Sequence, residues 1–242
     1  MTPLSHSSSD RGFVRLLFSQ AWTVLRKDLL LEWRGFSRFL SVLFFGLVTL
    51  ALFAFAGDAD TEQLRGGASG YLVLALFLSS TLALSESFRL ENEEQGIEGL
   101  LLLPVDTTAF YYGKAIGNTL FLFLLGPVLT PVALVFYAVE FDFLLYLQIL
   151  GLWVLTAAGL TAPGTLYAAM TSRLRSQDVL LPLLLFPLVI PILIASVKAI
   201  DVLLTGDFTG KLLGELLALL IVFDLVYWSI CGILFHYVIE EA

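Results

Sequence analysis

Cysteine occurs once in these 242 residues, at Cys231, and histidine twice, at His6 and His236. A single cysteine excludes an intrachain disulfide and any multi-cysteine metal site, and two histidines far apart in sequence leave little for metal or acid–base chemistry. Charge is scarce too: 14% of residues are charged, and 13 Lys and Arg stand against 21 Asp and Glu, for a net charge of −8. A soluble domain carries about 25% charged residues, and a nucleic-acid binder presents a basic face, so both classes are excluded. What fills the chain instead is apolar, 58% hydrophobic with a mean hydropathy of +0.91. Six apolar runs of about 20 residues each would use roughly half of the chain and leave no room for a second soluble domain. The expected fold class is all-α, a polytopic membrane protein with the lipid bilayer as its main partner.

Residues 1–10, polar and Ser-rich, are expected to be a disordered tail. Residues 11–38 are expected to hold an amphipathic interfacial helix. At 100° per residue Arg11, Arg15, Ser19, Thr23 and Arg26 share one arc, while Phe13, Val14, Leu17, Phe18, Ala21, Val24 and Leu25 share the other. Trp22 and Trp33 suit the headgroup level of an anionic leaflet. Residues 39–242 are read as a six-helix transmembrane domain with spans at 39–56, 71–85, 115–138, 144–170, 179–197 and 212–238. The longest connection between them, 86–114, is polar. Alternate sides of this arrangement carry ten Lys and Arg against three, the three being Arg65, Lys198 and Lys211. The positive-inside rule therefore puts both termini and the 86–114 connection in the cytoplasm.

Six of the eight prolines fall inside spans: Pro127, Pro131, Pro163, Pro182, Pro187 and Pro191. Each removes a backbone donor and is expected to make a hinge, tolerated where neighbouring helices re-satisfy the freed carbonyl. Ala158, Gly159 and Ala162 offer a small-residue face to a neighbouring helix.

No constellation reads as catalytic. Gly206 to Leu212 (GDFTGKL) has three residues between its glycines and Leu212 where a phosphate loop needs Ser or Thr, so the chain is not expected to bind ATP by this route. Ser69, in Gly67-Ala-Ser-Gly70, resembles an intramembrane protease nucleophile, but its one candidate base, His236, belongs to the other side of the bilayer, roughly 30 Å away. Glu93-Glu94 lacks the intramembrane histidines that a glutamate-dependent protease would need. Asp224 differs, because an acid near the midpoint of a span is costly unless it faces protein, water or a partner. It is the intramembrane polar candidate, either in a translocation pathway or in a contact with another helix.

The 86–114 connection is too polar to span and too patterned for a linker. Glu91, Glu94 and Glu98 recur at helical spacing, Ile97 and the run Leu100, Leu101, Leu102, Leu103 would be exposed unless covered, and Pro104 ends the run before Asp106 or Thr107 can cap a following helix. Glu91, Glu93, Glu94, Ile97, Glu98, Leu100, Leu101 and Leu103 are therefore read as an acidic and apolar docking edge for a soluble protein.

Glu91 to Pro104 followed by Tyr111 to Lys114 (YYGK) resembles the coupling loop of ABC-2 type permeases. Arg26 to Arg34 (RKDLLLEWR), Gly159 to Gly164 (GLTAPG) and Arg173 to Pro191 narrow the resemblance to the CcmB permeases of bacterial cytochrome c maturation. That resemblance implies a second copy of the chain, a cytosolic CcmA-like ATPase that binds the ATP, a haem-handling CcmC-like membrane protein, a small CcmD-like subunit and the bacterial inner membrane. It also implies ATP-driven release of a haem-charged chaperone, with this subunit itself non-catalytic. The sequence lacks C-x-x-C-H, clustered histidines and a Trp-rich segment, so haem is expected to be held by partners and no cofactor or metal by this chain. The rival readings are an ABC-2 permease for a lipid, polysaccharide or drug, and a proton-coupled secondary carrier using Asp224.

Overall fold

The structure, a computed structural model, describes residues 7–34, 36–56, 61–93, 106–139, 142–172, 174, 177–205 and 210–240. Within them lie seven helices: α1 (Ser7–Arg34), α2 (Phe36–Ala56), α3 (Thr61–Glu93), α4 (Thr107–Phe136), α5 (Phe143–Thr171), α6 (Gln177–Thr205) and α7 (Gly210–Glu240). Six segments, Phe36–Ala56, Leu64–Arg89, Thr107–Phe136, Phe143–Thr171, Gln177–Thr205 and Lys211–Val238, are long and apolar enough to cross a membrane. The all-α, six-span architecture expected from composition is therefore present.

α5 packs against α3, α4, α6 and α7, and α3 packs against α2, α4, α5 and α6. α2 and α7 lie at the margins, and α1 lies along α4. In α2 and α3 hydropathy runs opposite to burial. The α2 span has mean hydropathy 2.5 with 22% of it buried, whereas the α3 span has 1.7 with 67% buried. Lipid solvates apolar side chains as well as a protein interior does, so polar residues are the ones that gain from being inside. In α3 the hydroxyls of Ser80 and Thr81 return to the carbonyls of Phe77 and Leu78 at 2.6 and 2.8 Å.

The helices overrun the apolar runs. α3 extends through Glu86 to Glu93, stiffened by an Arg89–Glu86 ion pair at 2.7 Å. α4 begins at Thr107, with Asp106 as its N-cap accepting from the Thr108 amide at 2.8 Å. The segment read as 86–114 therefore opens within α3 and closes within α4, because helical hydrogen bonding continues past an apolar run wherever side chains support it. Ser7 to Asp10, read as part of the tail 1–10, open α1 instead. Ser and Asp favour helix N-termini, and Ser7 to Asp10 supply both.

All six span prolines lie inside helices that continue through them. Pro131 deprives the Pro127 carbonyl of its usual donor. The Tyr146 hydroxyl of α5 donates to that oxygen at 3.2 Å.

Candidate functional site

Four consecutive residues near the start of α4 each reach a neighbouring helix. Successive residues turn by about 100°, so four of them sweep most of the way round the helix. The Tyr111 hydroxyl, fully buried, donates to the Ala162 carbonyl of α5 at 3.0 Å. Tyr112 donates to the Trp228 carbonyl of α7 at 3.2 Å and stacks on the Trp228 ring with an interplanar angle of 14°. Gly113 admits α1: a Cβ there would stand 2.7 Å from Val24 Cβ and 2.8 Å from the Ala21 carbonyl oxygen. Lys114 Nζ lies 3.1 Å from Asp28 Oδ2 of α1, with the two side chains 4% and 18% exposed. It also faces the Phe88 ring of α3 at 5.7 Å.

This makes a tight joint between α1 and the bundle. Ala21, Val24, Leu25 and Asp28 face α4, whereas Phe18 and Trp22, from the other flank of the same helix, are exposed. Part of the apolar arc expected to lie in the interface therefore packs on protein, and the rest stays outward. The Asp106 amide donates to Gln20 Oε1 at 3.1 Å, so the point where the chain enters α4 is also fastened to α1. On the opposite flank, His236 Nδ1 of α7 is 3.0 Å from the Thr107 hydroxyl.

The GLTAPG segment of α5 lies on the far side of the same joint. The Ala162 carbonyl receives Tyr111, and the Ala158 carbonyl receives Trp228 Nε1 at 3.1 Å. Thr161 and Thr119 hydroxyls meet at 2.6 Å. Gly159 lets α7 and α6 approach: a Cβ there would meet Asp224 Oδ1 at 2.7 Å and Ile192 Cδ1 at 2.6 Å.

The residues singled out from the sequence are dispersed. Glu91 and Glu93 end α3. Glu94, Ile97, Glu98, Leu100, Leu101 and Leu103 lie outside the described residues. Asp224 is buried in the middle of α7, against α5 rather than alone in lipid. Cys231 is buried. Among the described residues no three His, Cys, Asp or Glu side chains are grouped as a metal site. Sequence reasoning missed Asp28 and Lys114 as partners, counting Lys114 as a cation of the polar connection. The available signal was that each lies in a segment that carries the family resemblance.

Residues 19–232 match the family described as CcmB protein. The chain belongs to the CcmB family. Among relatives of this CcmB-family chain, heme exporter protein B of Escherichia coli (strain K12) is 30% identical over 181 residues, covering 74% of this chain and 81% of the relative. Heme exporter protein B of Rhodobacter capsulatus is 31% identical over 183 residues, covering 73% and 80%. That of Pseudomonas aeruginosa is 28% identical over 186 residues, covering 76% and 81%. The stretch matched to the CcmB family holds Asp28, Tyr111, Tyr112, Gly113, Lys114, Ala162 and Trp228 of the joint.

Proposed function

We propose that this chain is the membrane permease subunit of an ABC-type haem exporter serving cytochrome c maturation. In this reading a CcmA-like ATPase docks on the connection between α3 and α4, and its ATP-driven movement releases a haem-charged chaperone on the outer side. A second copy of the chain, a CcmC-like haem-handling protein and a small CcmD-like subunit complete the assembly in the bacterial inner membrane. Both termini face the cytoplasm. Haem is held by the partners, and this chain contributes no catalytic residue.

The observation that carries the reading is the joint itself. Three separated segments that resemble the family, around Asp28, Tyr111 to Lys114 and Gly159 to Gly164, meet at one place, just where the proposed coupling connection enters α4. A force on that connection reaches Asp106 first, and from there passes to α1 through Gln20 and to α5 and α7 through the two tyrosines.

The test is co-purification of the ATPase with the chain carrying Leu101→Asp. The expected result is loss of the ATPase and of cytochrome c maturation, with the variant still inserted in the membrane. Retention of the complex in Leu101→Asp, and again when Glu91, Glu93 and Glu94 are all reversed to Lys, would sink the docking assignment.

A further inference from the structure

A proline inside a helix leaves the carbonyl four residues before it without its usual donor. At Pro131 in α4 that carbonyl belongs to Pro127, and the Tyr146 hydroxyl from α5 supplies the missing bond. At Pro163 in α5 it belongs to Gly159. Two side chains stand against Gly159, the apolar Ile192 of α6 and Asp224 of α7, whose Oδ1, the polar atom of the two, would lie 2.7 Å from a Cβ built there. Asp224 is 8% exposed, and its Oδ1 is enclosed with no hydrogen-bond partner among the described residues. One turn further along α7, Trp228 donates to Ala158, so two side chains of α7 meet adjacent residues of α5 just before Pro163.

A carbonyl oxygen and an ionised carboxylate are both acceptors and cannot bond to each other, whereas a protonated carboxyl is a donor. Among the described residues, the groups that the other helices bring to this place are uncharged. α6 presents Ile192, α5 presents Gly159 and Ala158, and the titratable group from α4, the Tyr112 hydroxyl, is already given to the Trp228 carbonyl. An ionised Asp224 in this setting would be a bare charge near the middle of a span.

We infer that Asp224 is a resident proton site, which keeps its acid proton inside the membrane and donates it to the Gly159 carbonyl left open by Pro163. Asp224 is thus a positioning residue that pins α7 to the α5 break, as Tyr146 pins α5 to the α4 break.

The full chain reconstituted in phospholipid vesicles tests this by infrared difference spectroscopy against Asp224→Asn. The expected result is a carbonyl-stretching band of an un-ionised carboxylic acid at neutral pH, present in the parent and missing in the variant. Absence of that band from the parent would overturn the inference. A second measurement uses thermal unfolding in detergent. Asp224→Leu should lower Tm by several degrees, Asp224→Asn, which keeps a donor, should restore most of it, and Asp224→Leu should cost little in a Pro163→Ala background, where residue 163 regains its N–H. An equal cost of Asp224→Leu in both backgrounds would show that the acid serves some other partner.

Discussion

At Gly113, where α1 crosses α4, an added Cβ would press within 2.8 Å of backbone; at Gly70, in the groove between α3 and α6, nothing lies within 4 Å of the same atom. The first glycine belongs to a joint closed by a buried ion pair and hydroxyl-to-carbonyl bonds. The second lines an apolar groove of about 520 Å³ that also involves Val73, Phe186, Leu193 and Lys198. Membrane helices are held by close packing and polar contacts, since burying apolar surface gains little where the alternative is lipid. The joint has both kinds of contact and Gly70 has open space beside it, so the two places should respond unequally to the same perturbation.

The largest effect is expected from breaking the ion pair. Lys114→Met takes from Asp28 its nearer, buried partner and leaves Lys27 at 3.8 Å, and the cost should be about 3 kcal/mol, the lower end for such pairs because Asp28 is partly exposed and keeps that second cation. Thermal unfolding in detergent would read this, and adding Asp28→Asn should recover part of the loss. If the single and double variants are equally unstable, the pair is not what holds α1 to α4. Next in size comes the glycine comparison. Gly113→Ala must push α1 away, with a cost of about 1–3 kcal/mol, while Gly70→Ala should stay within about 0.5 kcal/mol of the parent. Equal costs at both positions would erase the distinction between joint and groove. The smallest expected effect is that of Tyr111→Phe, which removes only the hydroxyl given to Ala162 and should cost about 1 kcal/mol. A larger loss would mean that the α4–α5 contact depends on that bond more than on its packing.

The spans were legible from hydropathy, and Asp106 was legible as a cap, because both are local properties of a few neighbouring residues. Helix ends were not, since a hydropathy window reports contact with lipid, whereas Glu86 to Glu93 stay helical through backbone bonds that no window counts. Lys114 was misread for a related reason. A lysine next to a polar connection looks solvated, and only the arrival of Asp28, from a helix 86 residues earlier, makes its burial tolerable. Asp224 was recognised as out of place, but its neighbour Gly159 becomes visible only when α5 and α7 are brought together. The docking residues Ile97 and Leu100 to Leu103 were read from pattern alone, and their test rests on the partner.

α1 has 28 residues, a rod about 42 Å long at the usual helical rise. It is gripped between Gln20 and Asp28, near its middle. A rod held that way behaves as a lever on a fulcrum: a modest push at its tip becomes torque at the grip rather than displacement of the whole. The first two turns of α4 are what the grip holds, so tilting α1 would twist the mouth of the bundle without unseating a span.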